Sequence, residues 1–128
     1  NNAGIAGHVR VGNNITIGAL TTVHQFCNLG DYSFIGMNTS INMDIPAFVK
    51  VAADPARIIG LNSVGMARND ISADSISLIK KAYKLVYRKG LKIDDAIKKS
   101  KELNKDHNDS FLDIFINSLE MSERGILR

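Results

Sequence analysis

The chain has 128 residues, 45% of them hydrophobic, and its 16 Lys and Arg against 13 Asp and Glu leave a net charge of +3. A surplus this small, with no aromatic platform interleaved among the basic residues, argues against nucleic acid as a partner. The single cysteine, Cys27, excludes a disulfide framework, and no apolar run approaches the roughly 18 residues of a membrane span.

From the N-terminus an aliphatic side chain recurs every sixth residue: Ile5, Val11, Ile17, Val23, Leu29, Ile35 and Ile41. A helix repeats its face every 3.6 residues and a strand every 2, so a period of six belongs to neither and marks a repeat. A chain that turns a corner every six residues points each aliphatic inward, and three hexads close one triangular coil of 18. Successive coils then stack as parallel strands about 4.8 Å apart, a hexapeptide β-helix. The second place of the hexad reads Ala6, Gly12, Gly18, His24, Gly30, Gly36, Asn42, and its glycines are expected to take up the tight backbone of each corner. The fifth place reads Val9, Ile15, Thr21, Cys27, Ser33, Thr39, Ile45, small and β-branched residues that point inward, with Cys27 acting as a small buried hydrophobe. The sequence opens inside this repeat with "NNAG" and supplies about two and a half coils. It therefore reads as the C-terminal part of a longer chain, because a solenoid needs about three repeats and a capped end.

After Pro46 the register dissolves, and the segment through Asp70 reads as a last partial coil followed by an irregular connector punctuated by Pro55 and Gly60. At Ser72 the period becomes helical: Ser72 caps, Ile76, Ile79, Tyr83 and Val86 follow at three-to-four spacing, and Gly90 terminates. A second helix is predicted from Ile93 to Leu103. A third starts at the cap Asp109 and carries Phe111, Ile114, Phe115, Ser118 and Leu119 on one side. The organisation is thus β-helix coils over residues 1–58, a connector over 59–71 and a helical domain over 72–128.

Three features carry candidate chemistry. His8 and His24 share one corner of the prism on adjacent coils, although the residue one full coil after His8 is Phe26. They are either two surface histidines or the donors, bases or metal ligands of a site built along an edge. Lys80, Lys84 and Arg88 fall at i, i+4 and i+8 on one helical stripe, a solvated face or a docking surface for an acidic partner. In "NSVGMAR", Asn62 and Arg68 either pair with phosphate or stabilise a loop. A zinc site on the coils needs three ligands and would find only His8 and His24 there, since His107 belongs to the helices.

The segments "NNAGIAGHVRVG", "TTVHQFC", "DIP", "AYKLVYRKG" and "RGILR" together resemble the C-terminal half of the UDP-N-acetylglucosamine O-acyltransferases of lipid A synthesis, over essentially the whole chain. The resemblance implies a cytoplasmic homotrimer of left-handed β-helices, without cofactor, metal or stable membrane insertion. Such a trimer moves a hydroxyacyl chain from acyl carrier protein to the 3-hydroxyl of UDP-N-acetylglucosamine. It implies that the Gly7 N–H serves as oxyanion donor, that His8 and His24 line the cleft between prisms, that Gln25 helps to position the nucleotide sugar, and that Asn62 and Arg68 reach the nucleotide across the subunit boundary. It further implies Met37 as the ruler of the acyl chain and Lys80, Lys84 and Arg88 as the carrier dock. The family's general base lies in a His-x-x-His-Asp motif that residues 1–128 do not contain, so this chain alone is expected to be inactive. A hexapeptide zinc hydratase and a noncatalytic trimeric assembly module are the alternatives.

Overall fold

The computed structural model describes residues 1–128. Seven two-residue strands recur at six-residue intervals: β1 (Gly4–Ile5), β2 (Arg10–Val11), β3 (Thr16–Ile17), β4 (Thr22–Val23), β5 (Asn28–Leu29), β6 (Phe34–Ile35) and β7 (Ser40–Ile41). Each of the first four pairs in parallel with the strand 18 residues on, so Ile5 faces Val23, Val11 faces Leu29, Ile17 faces Ile35 and Val23 faces Ile41. The result is a left-handed parallel β-helix of triangular section. β1, β4 and β7 form its first face, β2 and β5 its second, and β3, β6 and β8 (Val49–Ala52) its third. The hexad aliphatics Val23, Leu29, Ile35 and Ile41 fill the prism, with the fifth-place side chains Thr21, Cys27, Ser33 and Thr39 buried beside them, while Ile5 and Val11 on the first coil remain about half exposed. The two threonine hydroxyls escape the cost of burial by donating to one carbonyl, that of Gly36, at 2.9 and 2.7 Å.

The hexad glycines do not perform the task expected of them. Left-handed backbone falls two places later, at His8, Asn14, Leu20, Phe26, Tyr32 and Asn38, with φ between +53° and +66°. Glycine is required at the second place by proximity instead. A Cβ on Gly18 would meet the Met37 Cα at 2.6 Å, and one on Gly30 would meet the Pro46 carbonyl carbon at 2.6 Å. The next coil passes directly overhead.

The third coil is shorter than the others. Leu29 bridges Ile45 and Ile35 faces Val51, a step of 16 rather than 18, because the corner after Ile41 loses two residues. Ile45, expected in a fifth place, therefore occupies the aliphatic place that opens the next side. The irregular connector is also corrected. β8 turns back on β9 (Arg57–Leu61) as an antiparallel hairpin, and helix α1 (Ser63–Arg68) follows, so the boundary at 58/59 falls inside β9. The alternation Val49, Val51 inward and Lys50 outward is what a strand requires, but six-residue counting conceals it.

Three helices follow, α2 (Ala73–Tyr87), α3 (Ile93–Lys105) and α4 (Ser110–Glu120); α2 and α4 start at the expected caps, where the Ser72 hydroxyl accepts from the Ser75 N–H at 3.2 Å and the Asp109 carboxylate from the Leu112 N–H at 2.9 Å, whereas α3 starts after Lys92 without a side-chain cap. Gly90, at φ +65°, lies just beyond the end of α2. Their buried side chains, among them Ile79, Val86, Leu112 and Phe115, join the prism's aliphatics in one continuous core. The helical domain seats on the corner between the second and third faces. There Tyr32 stacks on Phe48 with centroids 5.2 Å apart, and Phe111 meets Tyr32 edge-on at 6.2 Å. The C-terminal tail then returns to the coils: Ile126 bridges Asp44 in parallel, the Asp44 N–H donates to the Gly125 carbonyl at 3.0 Å, and the Leu127 N–H to that of Asp44 at 2.9 Å.

Candidate functional site

Gly7, His8, His24 and Gln25 all lie at the corner between the first and second faces, on adjacent coils and exposed. The ring directly over His8 is that of Phe26, one full coil on, with centroids 4.9 Å apart and planes within 5°. His24 begins the same turn: its N–H donates to the Ile41 carbonyl at 2.8 Å, and its Nδ1 lies 3.1 Å from the Gln25 carbonyl oxygen. The Gly7 carbonyl accepts from the Phe26 N–H at 3.2 Å, whereas the Gly7 N–H donates to nothing in the chain. No atom stands within 4 Å of where a Gly7 Cβ would be. An exposed donor beside two imidazoles is therefore free for an external acceptor.

A cavity of about 400 Å³ opens beside this corner, lined among others by His8, Arg10, Phe26, Asp44, Glu123 and Arg124. The tail end of the chain supplies part of its lining, with Met121, Glu123 and Arg124. The Arg124 guanidinium donates twice to the Asn42 carbonyl, at 3.0 and 3.3 Å. Asp44 is 2% exposed, and its carboxylate accepts from the Asn28 N–H at 2.8 Å and the Ser122 hydroxyl at 2.6 Å. Burial pushes the nearby Cys27 thiol above its ordinary value, an effect that Arg124 opposes and Asp44 reinforces.

Asn62 and Arg68 sit elsewhere. They border a second cavity, of about 430 Å³, on the third face with Asn14, Thr16, Phe34 and Lys50. Asn62 is buried and caps α1: its side-chain oxygen accepts from the Gly65 N–H at 3.1 Å and its amide donates to the Tyr32 carbonyl at 2.9 Å. Of its two sequence readings, the loop-stabilising one describes these contacts. Arg68 is exposed in the last turn of α1 and forms no ion pair. Met37 protrudes, 68% exposed, from the corner between the third and first faces. Lys80, Lys84 and Arg88 are exposed on or just after α2 and are likewise unpaired. The structure thus brings Gly7, His8, His24 and Gln25 together and sets Asn62 and Arg68 on a different face of the same prism. No three His, Cys, Asp or Glu side chains converge as metal ligands.

Sequence reasoning missed the tail residues beside the histidine corner, Glu123 and Arg124. No period links His8 and His24 to positions so far along the chain. Phe26 was legible, since counting 18 from His8 reaches it.

Comparisons with known proteins bear on this arrangement. The family model described as UDP N-acetylglucosamine O-acyltransferase, domain 2, matches residues 44–127. An acyl-[acyl-carrier-protein]–UDP-N-acetylglucosamine O-acyltransferase of Pseudomonas putida strain W619 is 41% identical over all 128 residues, and one of Stutzerimonas stutzeri is 42% identical. The chain spans about half the length of the curated relatives it matches, 49% in both cases. The crystal structure of UDP-N-acetylglucosamine O-acyltransferase from Moraxella catarrhalis superposes on the whole chain with a TM-score of 0.94 at 39% identity, covering 49% of that protein. The acyltransferase of Bacteroides fragilis does so with the same TM-score at 30% identity, again over 49% of its length. The chain belongs to the UDP-N-acetylglucosamine O-acyltransferase family.

Proposed function

We propose that the protein transfers a 3-hydroxyacyl chain from acyl carrier protein to the 3-hydroxyl of UDP-N-acetylglucosamine, as a cytoplasmic homotrimer, in the synthesis of lipid A. The observation that carries this reading is the pairing of whole-chain identity to such enzymes with a site split between two faces of one prism. A second subunit can bring its third face, with Arg68, against the first subunit's histidine corner. Exposed apolar side chains support the same assembly, with Leu20 and Met37 on one corner and Phe26 on another. No helix is long and apolar enough to cross a membrane.

In this reading the Gly7 N–H receives the oxyanion that forms as the sugar hydroxyl attacks the thioester, a contribution of about 3 kcal/mol for a preorganised donor. His8, His24 and Gln25 orient the sugar. Arg68 supplies a positive charge to the diphosphate, while Asn62 fixes the start of α1 and hence the direction of Arg68. Met37 closes the far end of the acyl groove. The general base comes from outside residues 1–128, so the chain alone does not turn over.

Subunit mixing tests the split site. In the complete protein, His8→Ala and Arg68→Ala are each expected to lower activity at least tenfold. Co-assembling the two variants should restore a fraction of it, because some interfaces then carry neither lesion. Mixed oligomers no more active than their parents would place both residues in one subunit's site and overturn the arrangement.

A further inference from the structure

The basic residues of the helical domain do not form only the stripe that helical spacing picks out. Lys81, Lys84 and Lys89, on or just after α2, face Lys99 on α3 across an open groove of about 560 Å³, whose remaining lining is Leu85, Leu103 and Glu102. All four lysines are exposed, the two leucines are half-buried, and the chain's one ion pair, Lys101–Glu120, lies outside the groove. Four lysines against one glutamate give this groove a charge of +3, equal to that of the whole chain, so the rest of the molecule is neutral in sum. Lys80 and Arg88 of the stripe are outside it.

Four ammonium groups around an apolar floor repel one another and gain from an anion. The two leucines between them offer little to a free phosphate or to nucleic acid, but they match the apolar side chains of an amphipathic segment. We infer that the groove between α2 and α3 receives an acidic helix carrying apolar residues. It is the docking element of the acyl carrier: carboxylates meet Lys81, Lys84, Lys89 and Lys99 while aliphatic side chains cover Leu85 and Leu103. Complementary charge of this kind raises the encounter rate and fixes orientation, and the apolar floor supplies contact that salt does not screen. The inference rests on the proposed carrier reading and relocates its footprint from one helical stripe to a groove between two helices.

Charge reversal separates the footprints. The complete protein would be titrated with hydroxyacyl carrier protein by calorimetry at 50 and 300 mM salt, with circular dichroism confirming that each variant stays folded. Lys81→Glu with Lys99→Glu is expected to weaken binding at least tenfold and to flatten its salt dependence. Lys80→Glu with Arg88→Glu should change it less than threefold. The opposite ranking overturns the groove and leaves carrier docking on the stripe. Unaltered complete protein that binds no carrier at either salt concentration, or that binds anionic vesicles instead, overturns the carrier reading and the groove together.

Discussion

Replacing Asp44 with alanine should loosen the molecule at the point where its tail meets its coils. The carboxylate is 2% exposed and holds two donors, the Asn28 N–H at 2.8 Å and the Ser122 hydroxyl at 2.6 Å. Hydrogen bonds to a charged group contribute about 1.5–3 kcal/mol each, and relief of the buried charge offsets part of their loss. The net loss is about 3–4 kcal/mol, or roughly 10–20 °C in melting temperature for a chain of this size. Asp44→Asn is the control, since its amide oxygen still accepts from Asn28 and its NH₂ faces a hydroxyl that can accept; it should lose only about 1 kcal/mol. Calorimetric melts at pH 7 check both. An alanine variant melting within 2 °C of the unaltered chain would show that the carboxylate does not hold the tail.

At Gly30 an added Cβ meets main chain of the coil above, so Gly30→Ala should destabilise by about 3 kcal/mol in denaturant titration, whereas Gly60→Ala, with nothing within 4 Å, should stay within about 0.5 kcal/mol. Burial, with a smaller push from Tyr83, holds the Tyr87 phenol well above its ordinary range, and its hydroxyl donates to the Leu127 carbonyl at 2.9 Å. The unfolded chain therefore loses that proton first. Stability from this group is full below the ordinary phenol value and declines as pH rises from there toward the higher folded one, so Tyr87→Phe should be weaker at neutral pH by about 1 kcal/mol and lose less than the parent between pH 9 and 11 in urea titrations. In the complete protein Met37→Gly is expected to move donor preference toward longer hydroxyacyl chains, since each methylene buried contributes about 0.8 kcal/mol; an unchanged kcat/KM profile across a ladder of hydroxyacyl carriers would remove Met37 from the ruler position.

The coils were legible because one side chain in six must be apolar to fill a triangular prism, and that demand writes itself into the sequence without reference to distant residues. Helix starts were legible for the same local reason at Ser72 and Asp109. What escaped depends on stacking between coils. The hexad gives no sign that His8, Asn14 and Tyr32 would take the left-handed turn while Gly18 and Gly30 merely make room. Nor does a missing pair of residues after Ile41 announce itself, because Ile45 satisfies either register. In the candidate site the histidine corner followed from counting, but the distance of Arg68 from it did not. Two faces of one prism are equally outward in the sequence, and only three dimensions show them pointing apart.

The tail's pairing with Asp44 also bears on behaviour in concentrated solution. A parallel β-helix ends in unsatisfied peptide groups, and such a rim can template another chain and grow into fibres. Here the second face of the last coil is occupied by the strand-like bridge at Ile126, and the third face is turned back on itself by the β8–β9 hairpin. Residues 122–128 thus cover one of the three faces of that rim, while β7 remains the open edge of the first. Their removal by a carboxypeptidase would be expected to add thioflavin-positive aggregate to the loss of melting temperature that follows from the tail's buried contacts.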